Sequence, residues 1–187
     1  MSETILVTGA SAGFGQAICR RLVADGYRVI GSARRIDKLQ ALQEELGETF
    51  YPLQMDVTDL SQVDHALASL PKAWERVDVL VNNAGLALGL APAYEAEVAD
   101  WLTMIQTNIV GLTYLTRKIL PQMVERNDGY IINLGSTAGT VPYPGANVYG
   151  ASKAFVKQFS LNLRADLAGK KIRVSNIEHG LCEGTEF

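Results

Sequence analysis

The sequence predicts an α/β fold built on a doubly wound parallel sheet, with helices on both faces. Two observations lead to this fold class. Short apolar runs alternate with segments of helical periodicity, and the first of these runs leads directly into a glycine-rich turn. Strands that alternate with helices in this way form βαβ units, and βαβ units build parallel sheets. We therefore expect a three-layer αβα architecture.

Length and composition limit what the chain can be. It has 187 residues, of which 48% are hydrophobic, and a formal net charge of −3. A chain of this length buries about 70% of its unfolded surface, so we expect residues 1–187 to form a single domain. Acidic and basic side chains are interspersed, which argues against a nucleic-acid or membrane partner. We expect a small-molecule substrate instead.

The cysteines, the histidines and the N-terminus exclude further classes. Cys19 and Cys182 form no C-x-x-C pair, and neither His65 nor His179 belongs to a ligand motif. We therefore expect reduced thiols and no metal. The N-terminus lacks a basic region followed by an apolar core and a cleavage site, which predicts a cytoplasmic protein.

The first strand, Ile5 to Val7, is followed at once by the turn T-G-A-S-A-G-F-G, from Thr8 to Gly15, and then by a helical pattern. Gly9 permits the tight turn, Gly13 lets the backbone approach a pyrophosphate, and Gly15 lets the helix pack on the strand. The helix N-terminus then faces the phosphates. This combination predicts the Rossmann fold and a dinucleotide cofactor.

The end of the second strand, Tyr27 to Ser32, bears on the choice of cofactor. An acidic residue there would accept a hydrogen bond from the ribose 2′-hydroxyl of NAD. This chain has Ala33, Arg34 and Arg35 instead. A guanidinium group can donate two hydrogen bonds to two oxygens of one phosphate, which favours the 2′-phosphate of NADP. The alternative interpretation is that the arginines are simply the solvated start of the next helix.

The next elements complete the βαβαβ unit. Apolar periodicity predicts, in order, a helix from Ile36 to Leu46, a strand from Phe50 to Met55, a helix from Leu60 to Leu70, and a strand from Val77 to Val81. Asp56 and Val57 close the third strand where an adenine ring would lie, so Asp56 either contacts an exocyclic amine or caps the following helix. The amides of N-N-A-G, Asn82 to Gly85, are expected to bridge strands and line the cofactor.

A long helix is predicted from Glu97 to about Leu120, with one apolar face. That face comprises Trp101, Ile105, Ile109 and Leu112. Asn108 lies within this apolar stretch, and a buried amide needs hydrogen-bond partners. Its carbonyl either holds a water that reaches toward Lys153 or serves the helix structurally.

The strand from Tyr130 to Leu134 and the helix from Val148 to about Leu167 provide the candidate acid/base group. Tyr149 and Lys153 are four residues apart on one helix face, so their Cβ atoms lie about 5–6 Å apart. Two charges about 5 Å apart at a dielectric of about 20 interact by roughly 3 kcal/mol, or about two pKa units. We therefore expect Lys153 to lower the pKa of Tyr149. Ser136, at the strand's carboxyl end, is the second candidate donor. The alternative is that Tyr149 and Lys153 are ordinary helix residues.

Taken together, the T-G-x-x-x-G-x-G turn, N-N-A-G, and Asn108, Ser136, Tyr149 and Lys153 in this order resemble the short-chain dehydrogenase/reductase family. The segments G-S-T-A-G and N-V-Y-G-A-S-K-A-F are similar to the branch of NADP-dependent 3-hydroxy acid dehydrogenases. The resemblance implies hydride transfer between NADP and the 3-hydroxyl or carbonyl carbon of a small hydroxy acid or semialdehyde. Its catalytic tetrad would comprise Asn108, Ser136, Tyr149 and Lys153.

The resemblance also implies the cofactor contacts and the assembly. The implied cofactor-binding residues are Gly9, Ser11, Gly13, Phe14, Gly15, Arg34, Arg35, Asp56, Val57, Asn83, Ala84, Gly85, Tyr149, Lys153, Gly180 and Thr185. Members are commonly homo-oligomers, dimers or tetramers, in which the two long helices pair across a subunit interface. Phe155 and Phe159 on the later helix are then core or subunit-contact residues.

Two departures from the family pattern accompany the resemblance. His179 and Gly180 follow the sixth strand, Lys171 to Ile177, where the family usually has Pro-Gly. Proline would fix φ near −65°, whereas histidine adds a ring that can crowd the site. The chain is also expected to be short at its C-terminus, without the last strand and the substrate lid, so that the sixth strand is an edge. The alternative functions are a carbonyl reductase of bulkier ketones and a non-catalytic NADP-binding module.

Overall fold

The computed structural model describes residues 3–89 and 91–180, so the predicted contact at Thr185 lies outside the described residues. The strands are β1 Thr4–Thr8, β2 Arg28–Ala33, β3 Phe50–Gln54, β4 Val79–Asn82, β5 Gly129–Ser136 and β6 Ile172–His179. The helices are α1 Gly13–Ala24, α2 Ile36–Leu46, α3 Leu60–Ala68, α4 Val98–Ile105, α5 Leu112–Arg126 and α6 Asn147–Asp166.

The six strands form one parallel sheet in the order β3-β2-β1-β4-β5-β6. The chain winds outward from β1 to β3, returns to β4 beside β1, and then winds outward in the other direction. The strand order therefore reverses between β1 and β4, where a crevice opens at the carboxyl ends of the strands. This doubly wound Rossmann sheet confirms the predicted fold class.

Each face of the sheet has its own apolar core, because successive side chains of a strand point to opposite faces. Ile5 and Val7 of β1 pack with the residues of α1 and α2. Leu6, between them in sequence, packs with the residues of α3, α5 and the end of α6. The sheet thus lies between two helical layers, which confirms the three-layer arrangement.

A buried polar network joins the sheet to two helices. Asn82 on β4 donates through Nδ2 to Asn133 Oδ1 on β5 at 2.8 Å and to Thr116 Oγ1 on α5 at 2.9 Å. Asn133 in turn donates to Ser160 Oγ on α6 at 2.8 Å. Because these buried amides have partners, the network fixes the helix positions without leaving a desolvated donor unsatisfied.

The long helix predicted from Glu97 to Leu120 differs from the structure in three respects. It continues to Arg126, it contains Pro121, and the six residues Gln106–Gly111 form a π-helical segment. Ile105 of the predicted apolar face is 36% exposed. The π-helical segment adds a residue to the turn, so Trp101 and Ile105 before it no longer share one face with Leu112 after it at regular α-helical spacing.

The last strand is longer than predicted and ends at His179. β6 pairs with β5 on one side and is the terminal strand of the sheet formed by residues 3–89 and 91–180. Ile177 is 49% exposed there, and Phe155 on α6 is 37% exposed. Phe155 is therefore a surface residue, as the subunit-contact alternative requires. No helix within the described ranges is long and apolar enough to cross a membrane.

Candidate active site

A cleft of about 380 Å³ opens at the carboxyl ends of the strands, at the point where the strand order reverses. The predicted cofactor residues that line it are Gly9, Ser11, Gly13, Phe14, Arg34, Arg35, Asp56, Val57, Asn83, Ala84, Gly85 and Lys153. The fold thus brings together residues from five segments that are far apart in sequence.

The glycine-rich turn forms the floor of the cleft below the start of α1. Gly9 has a φ of +70° and Gly13 a φ of +50°, which other residues rarely adopt. A Cβ atom on Gly15 would lie 2.1 Å from the carbonyl oxygen of Gly9, so Gly15 serves close packing of α1 as predicted, but against the turn that follows β1 and not against the strand. Ala12 precedes α1 without a side-chain cap, and the N–H groups of the first turn suit an anionic ligand.

Thr8 and Asn83 brace the turn against the end of β4. The Thr8 hydroxyl accepts from the backbone N–H groups of Asn83 and Ala84 at 3.0 and 2.9 Å. Asn83 Nδ2 donates to the carbonyl of Thr8 at 2.8 Å. The expected bridging by the two consecutive amides is therefore present, with Asn83 joining β4 to the turn after β1.

Arg34 and Arg35 lie at the cleft end of β2, and both side chains are exposed. The Arg35 guanidinium donates to Ser11 Oγ from Nε and Nη2, at 3.3 and 3.1 Å. It is thereby held against the glycine-rich turn. The geometry places positive charge and no carboxylate at the position where a ribose 2′-substituent would lie.

Asp56 lines the cleft and does not cap the following helix. Its carboxylate accepts from the backbone N–H and the hydroxyl of Thr58, at 2.9 and 2.8 Å. The N-cap of α3 is Asp59, whose carboxylate accepts from the Gln62 N–H at 3.0 Å. The capping alternative for Asp56 is therefore wrong, because Asp59 occupies that role three residues later.

Ser136, Tyr149 and Lys153 come together beside the cleft; Lys153 lines it, whereas Ser136 and Tyr149 are not among its lining residues. Tyr149 is 7% exposed, and its phenol hydrogen-bonds to the Ser136 hydroxyl. The Lys153 ammonium lies 5.8 Å from the centre of the Tyr149 ring. The helical spacing therefore brings the acid/base candidate, the second donor and the cation into one site.

The pKa of Tyr149 is raised, which corrects the expected lowering by Lys153. Burial penalises the phenolate and raises the pKa, and the Ser136 hydrogen bond offsets only part of this effect. Lys153 donates instead to the carbonyl of Leu134 at 2.8 Å, and burial lowers the pKa of Lys153 to about 8. The simple estimate failed because it left out the desolvation of both groups.

Asn108 is buried, and its side-chain amide is engaged on both sides. Oδ1 accepts from the N–H of Leu86 at 2.9 Å, while Nδ2 donates to the Leu86 carbonyl at 2.9 Å and to Ser152 Oγ at 3.1 Å. These contacts show a structural use of the side chain, and the water that reaches toward Lys153 stays a prediction. The amide holds the loop after β4 against α6.

His179 forms part of the cleft wall opposite the glycine-rich turn. Its ring centre lies 5.2 Å from that of Phe14, tilted by 59°. The backbone carbonyl of His179 lies 3.5 Å from Ser136 Oγ, and its Nδ1 lies 2.8 Å from the carbonyl oxygen of Gly180. Gly180 is described but is not among the residues that line the cleft.

Comparison with known proteins agrees with this geometry. The short chain dehydrogenase family matches residues 3–187. The chain belongs to that family. It is 61% identical over 183 residues to the NADP-dependent 3-hydroxy acid dehydrogenase of Salmonella typhi, covering 98% of this chain and 74% of the relative. It is 52% identical over 187 residues to the serine 3-dehydrogenase of Agrobacterium fabrum, covering 100% and 74%.

A solved structure extends the comparison to three dimensions. This short chain dehydrogenase superposes on the closed form of a serine dehydrogenase complexed with NADP+ with a TM-score of 0.97 at 59% identity, covering 98% of this chain and 74% of the other. The recognised family and the αβα fold are thereby confirmed.

Three functional candidates in this dehydrogenase were not identified from sequence. Thr8 and Thr107 contribute to the turn and to the cleft wall, and Ser152 bonds Asn108. Thr8 carries a signal, because it stands between β1 and the first glycine. Thr107 and Ser152 carry no sequence signal. Thr107 is placed by the π-helical segment, whose extra residue helical periodicity does not predict, and Ser152 is one of several polar residues on α6.

Proposed function

We propose that this protein is an NADP-dependent oxidoreductase that interconverts the 3-hydroxyl group of a small hydroxy acid and the corresponding carbonyl. One observation carries the proposal: the Tyr149 phenol hydrogen-bonds to the Ser136 hydroxyl beside Lys153, and Lys153 lines the cleft of about 380 Å³. The relatives named as NADP-dependent 3-hydroxy acid dehydrogenase and serine 3-dehydrogenase support it.

The cleft residues fit the pyrophosphate and the adenosine 2′-phosphate half of NADP. The uncapped start of α1 and the glycine-rich turn would hold the pyrophosphate. Arg34 and Arg35 would hold the 2′-phosphate, and Asp56 would lie near the adenine. Bound NADP would supply the hydride acceptor or donor for the reaction. Arg35 reaches Ser11 of the turn, so it can bridge the two phosphate positions.

Proton transfer is assigned to Tyr149. Burial raises the pKa of Tyr149, so the phenol is protonated at neutral pH and is suited to donate a proton to a carbonyl oxygen during reduction. Ser136 would hold that oxygen by a hydrogen bond. Lys153, whose pKa burial lowers to about 8, would carry a charge near neutral pH that stabilises the phenolate formed by donation.

Turnover and its dependence on Tyr149 test the proposal. The 187-residue protein is mixed with NADP and a panel of small 3-hydroxy acids, and absorbance of the reduced nicotinamide is followed. We expect turnover that Tyr149→Phe reduces by about 1,000-fold, because general acid–base catalysis contributes about 10²–10⁴-fold. Tyr27→Phe, at a partly buried tyrosine before β2, is the matched control and should retain activity.

The same panel separates this function from its alternatives. A bulky apolar ketone turned over faster than every hydroxy acid or semialdehyde would instead favour the carbonyl reductase. NADP binding without turnover of any substrate would favour the non-catalytic module. The proposal would then be abandoned.

We further propose that residues 1–187 act as one NADP-binding catalytic domain in a cytoplasmic homo-oligomer. Val98 and Leu102 on α4 are 61% and 60% exposed, and Phe155 on α6 is 37% exposed. Apolar side chains clustered on adjoining helices are typical of protein–protein contacts. Sedimentation equilibrium tests the assembly: a monomer at micromolar concentration would contradict it.

A further inference from the structure

Ser152 joins the cleft wall to the helix turn that carries Tyr149. It is 1% exposed, donates from Oγ to the backbone carbonyl of Tyr149 at 2.7 Å, and accepts from Asn108 Nδ2 at 3.1 Å. Asn108 holds Leu86 by two hydrogen bonds, and Leu86 lines the cleft. A continuous chain of hydrogen bonds therefore runs from Leu86 through Asn108 and Ser152 to Tyr149.

We propose that Ser152 is a positioning residue for Tyr149, an inference that rests on the proposed function of this site. A slide or rotation of the first turn of α6 relative to β5 would separate the phenol of Tyr149 from the Ser136 hydroxyl. Ser152 opposes it by tying the Tyr149 backbone to Asn108. A misplacement of about 1 Å in an active site can cost about 100-fold in rate.

Ser160, on the same helix, provides a matched control. It is also 1% exposed, donates from Oγ to a helix carbonyl, that of Val156, at 2.8 Å, and accepts from an asparagine amide, Asn133 Nδ2, at 2.8 Å. Replacing either serine with alanine removes the same two kinds of bond from an equally buried site. The two variants differ in whether the lost bonds lead to Tyr149.

Steady-state kinetics of the two alanine variants provide the first readout. Ser152→Ala and Ser160→Ala should lower the melting temperature by similar amounts, because each leaves a buried amide proton without its partner. Only Ser152→Ala should lower kcat, by about 10-fold or more, with little change in the KM for NADP. Ser152→Thr, which keeps the hydroxyl, should restore most of kcat. Equal kcat losses in the two alanine variants would overturn the proposal.

The titration of Tyr149 provides a readout that needs no turnover. In protein labelled at tyrosine Cζ with ¹³C, the Tyr149 signal is the one lost in Tyr149→Phe. Its titration midpoint should move in Ser152→Ala, because the phenol shifts relative to Ser136, and should stay unchanged in Ser160→Ala. A midpoint shift in an otherwise inactive protein would uphold positioning while the proposed function fails. An unchanged midpoint in Ser152→Ala would refute positioning, whatever the turnover.

Discussion

Lys153 is a buried cation, and the amount by which its charge lowers the free energy of unfolding can be measured. Burial lowers its pKa from 10.5 to about 8, and each pKa unit is worth about 1.36 kcal/mol. The ammonium therefore destabilises the folded protein without cofactor by about 3 kcal/mol below about pH 8. Lys153→Met removes this charge with a side chain of similar length, so we expect the variant to be inactive but relieved of that cost.

The sign of the pH dependence follows from proton binding. Between the folded pKa of about 8 and the unfolded value of 10.5, the unfolded chain binds more protons at Lys153 than the folded chain does. The stability of the unmutated protein therefore rises with pH in this window, relative to that of Lys153→Met. The unfolding free energy of the unmutated protein should therefore rise by about 3 kcal/mol across the window, relative to that of Lys153→Met.

Urea unfolding at a series of pH values from about 7 to above 10, without cofactor, measures this difference. The hydrogen bond that Lys153 donates to Leu134 is lost in the variant. Any change in its strength when the ammonium loses its proton is already contained in the folded pKa, and the slope depends only on the folded and unfolded pKa values. Carrying out both measurements in a Tyr149→Phe background removes the titration of the neighbouring phenol. Lys38→Met, at an exposed lysine on α2, is the control for removing a lysine charge. A pH dependence of Lys153→Met no larger than that of Lys38→Met would refute the burial argument.

Three further predictions concern the cofactor turn and the acid/base group. Replacing Arg34 and Arg35 together with alanine should weaken NADP binding by about 10–100-fold, because charged hydrogen bonds contribute about 1.5–3 kcal/mol. NAD binding should weaken far less, since only the pyrophosphate contact of Arg35 is lost. Isothermal titration with both cofactors measures this, and equal losses would rule out the 2′-phosphate contact. The kcat of hydroxy-acid oxidation should rise from pH 7 into the alkaline range, since oxidation needs a deprotonated Tyr149 and burial raises the pKa of Tyr149. A pH profile of kcat in Tris-free buffers tests this direction. A kcat that falls as the pH rises would contradict it. Gly15→Ala places a Cβ 2.1 Å from the Gly9 carbonyl oxygen and should cost several kcal/mol of stability. Gly26→Ala is the control: nothing lies near its Cβ, but its φ is +88°, so it should cost only about 1–2 kcal/mol. A smaller loss for Gly15→Ala than for Gly26→Ala in thermal unfolding would refute the close contact.

Local patterns of sequence predicted the parts of the site that depend on short-range chemistry. The glycine spacing from Gly9 to Gly15 fixes a turn, and the following apolar face fixes α1. Asn82 and Asn83 end a buried strand, so their amides had to meet neighbouring strands at the same sheet edge. The spacing of Tyr149 and Lys153 needs only a helix. These features were predictable because the residues that decide them lie within a few positions of one another.

The features that sequence did not predict depend on surroundings assembled from distant segments. The direction in which the pKa of Tyr149 shifts depends on how fully the fold buries its phenol. The four-residue spacing between Tyr149 and Lys153 does not reveal this burial. The partner of Lys153 is the Leu134 carbonyl, 19 residues away. The N-cap of α3 is Asp59 and not Asp56. The sequence did not predict this, because Asp56, Thr58 and Asp59 all carry oxygen atoms that can cap a helix and their order alone does not rank them.

The π-helical segment Gln106–Gly111 gives this helix one place where it holds a residue more than a regular α-helix would. Deleting one residue there, such as Val110, would let α4 and α5 join as a regular α-helix with their faces nearly unchanged. The change would fall on the wide turn itself, which places Asn108 against Leu86 and Ser152. A deletion within α5 would instead rotate all that follows by about 100° and shift it by about 1.5 Å, so Leu115 and Ile119 would leave the sheet.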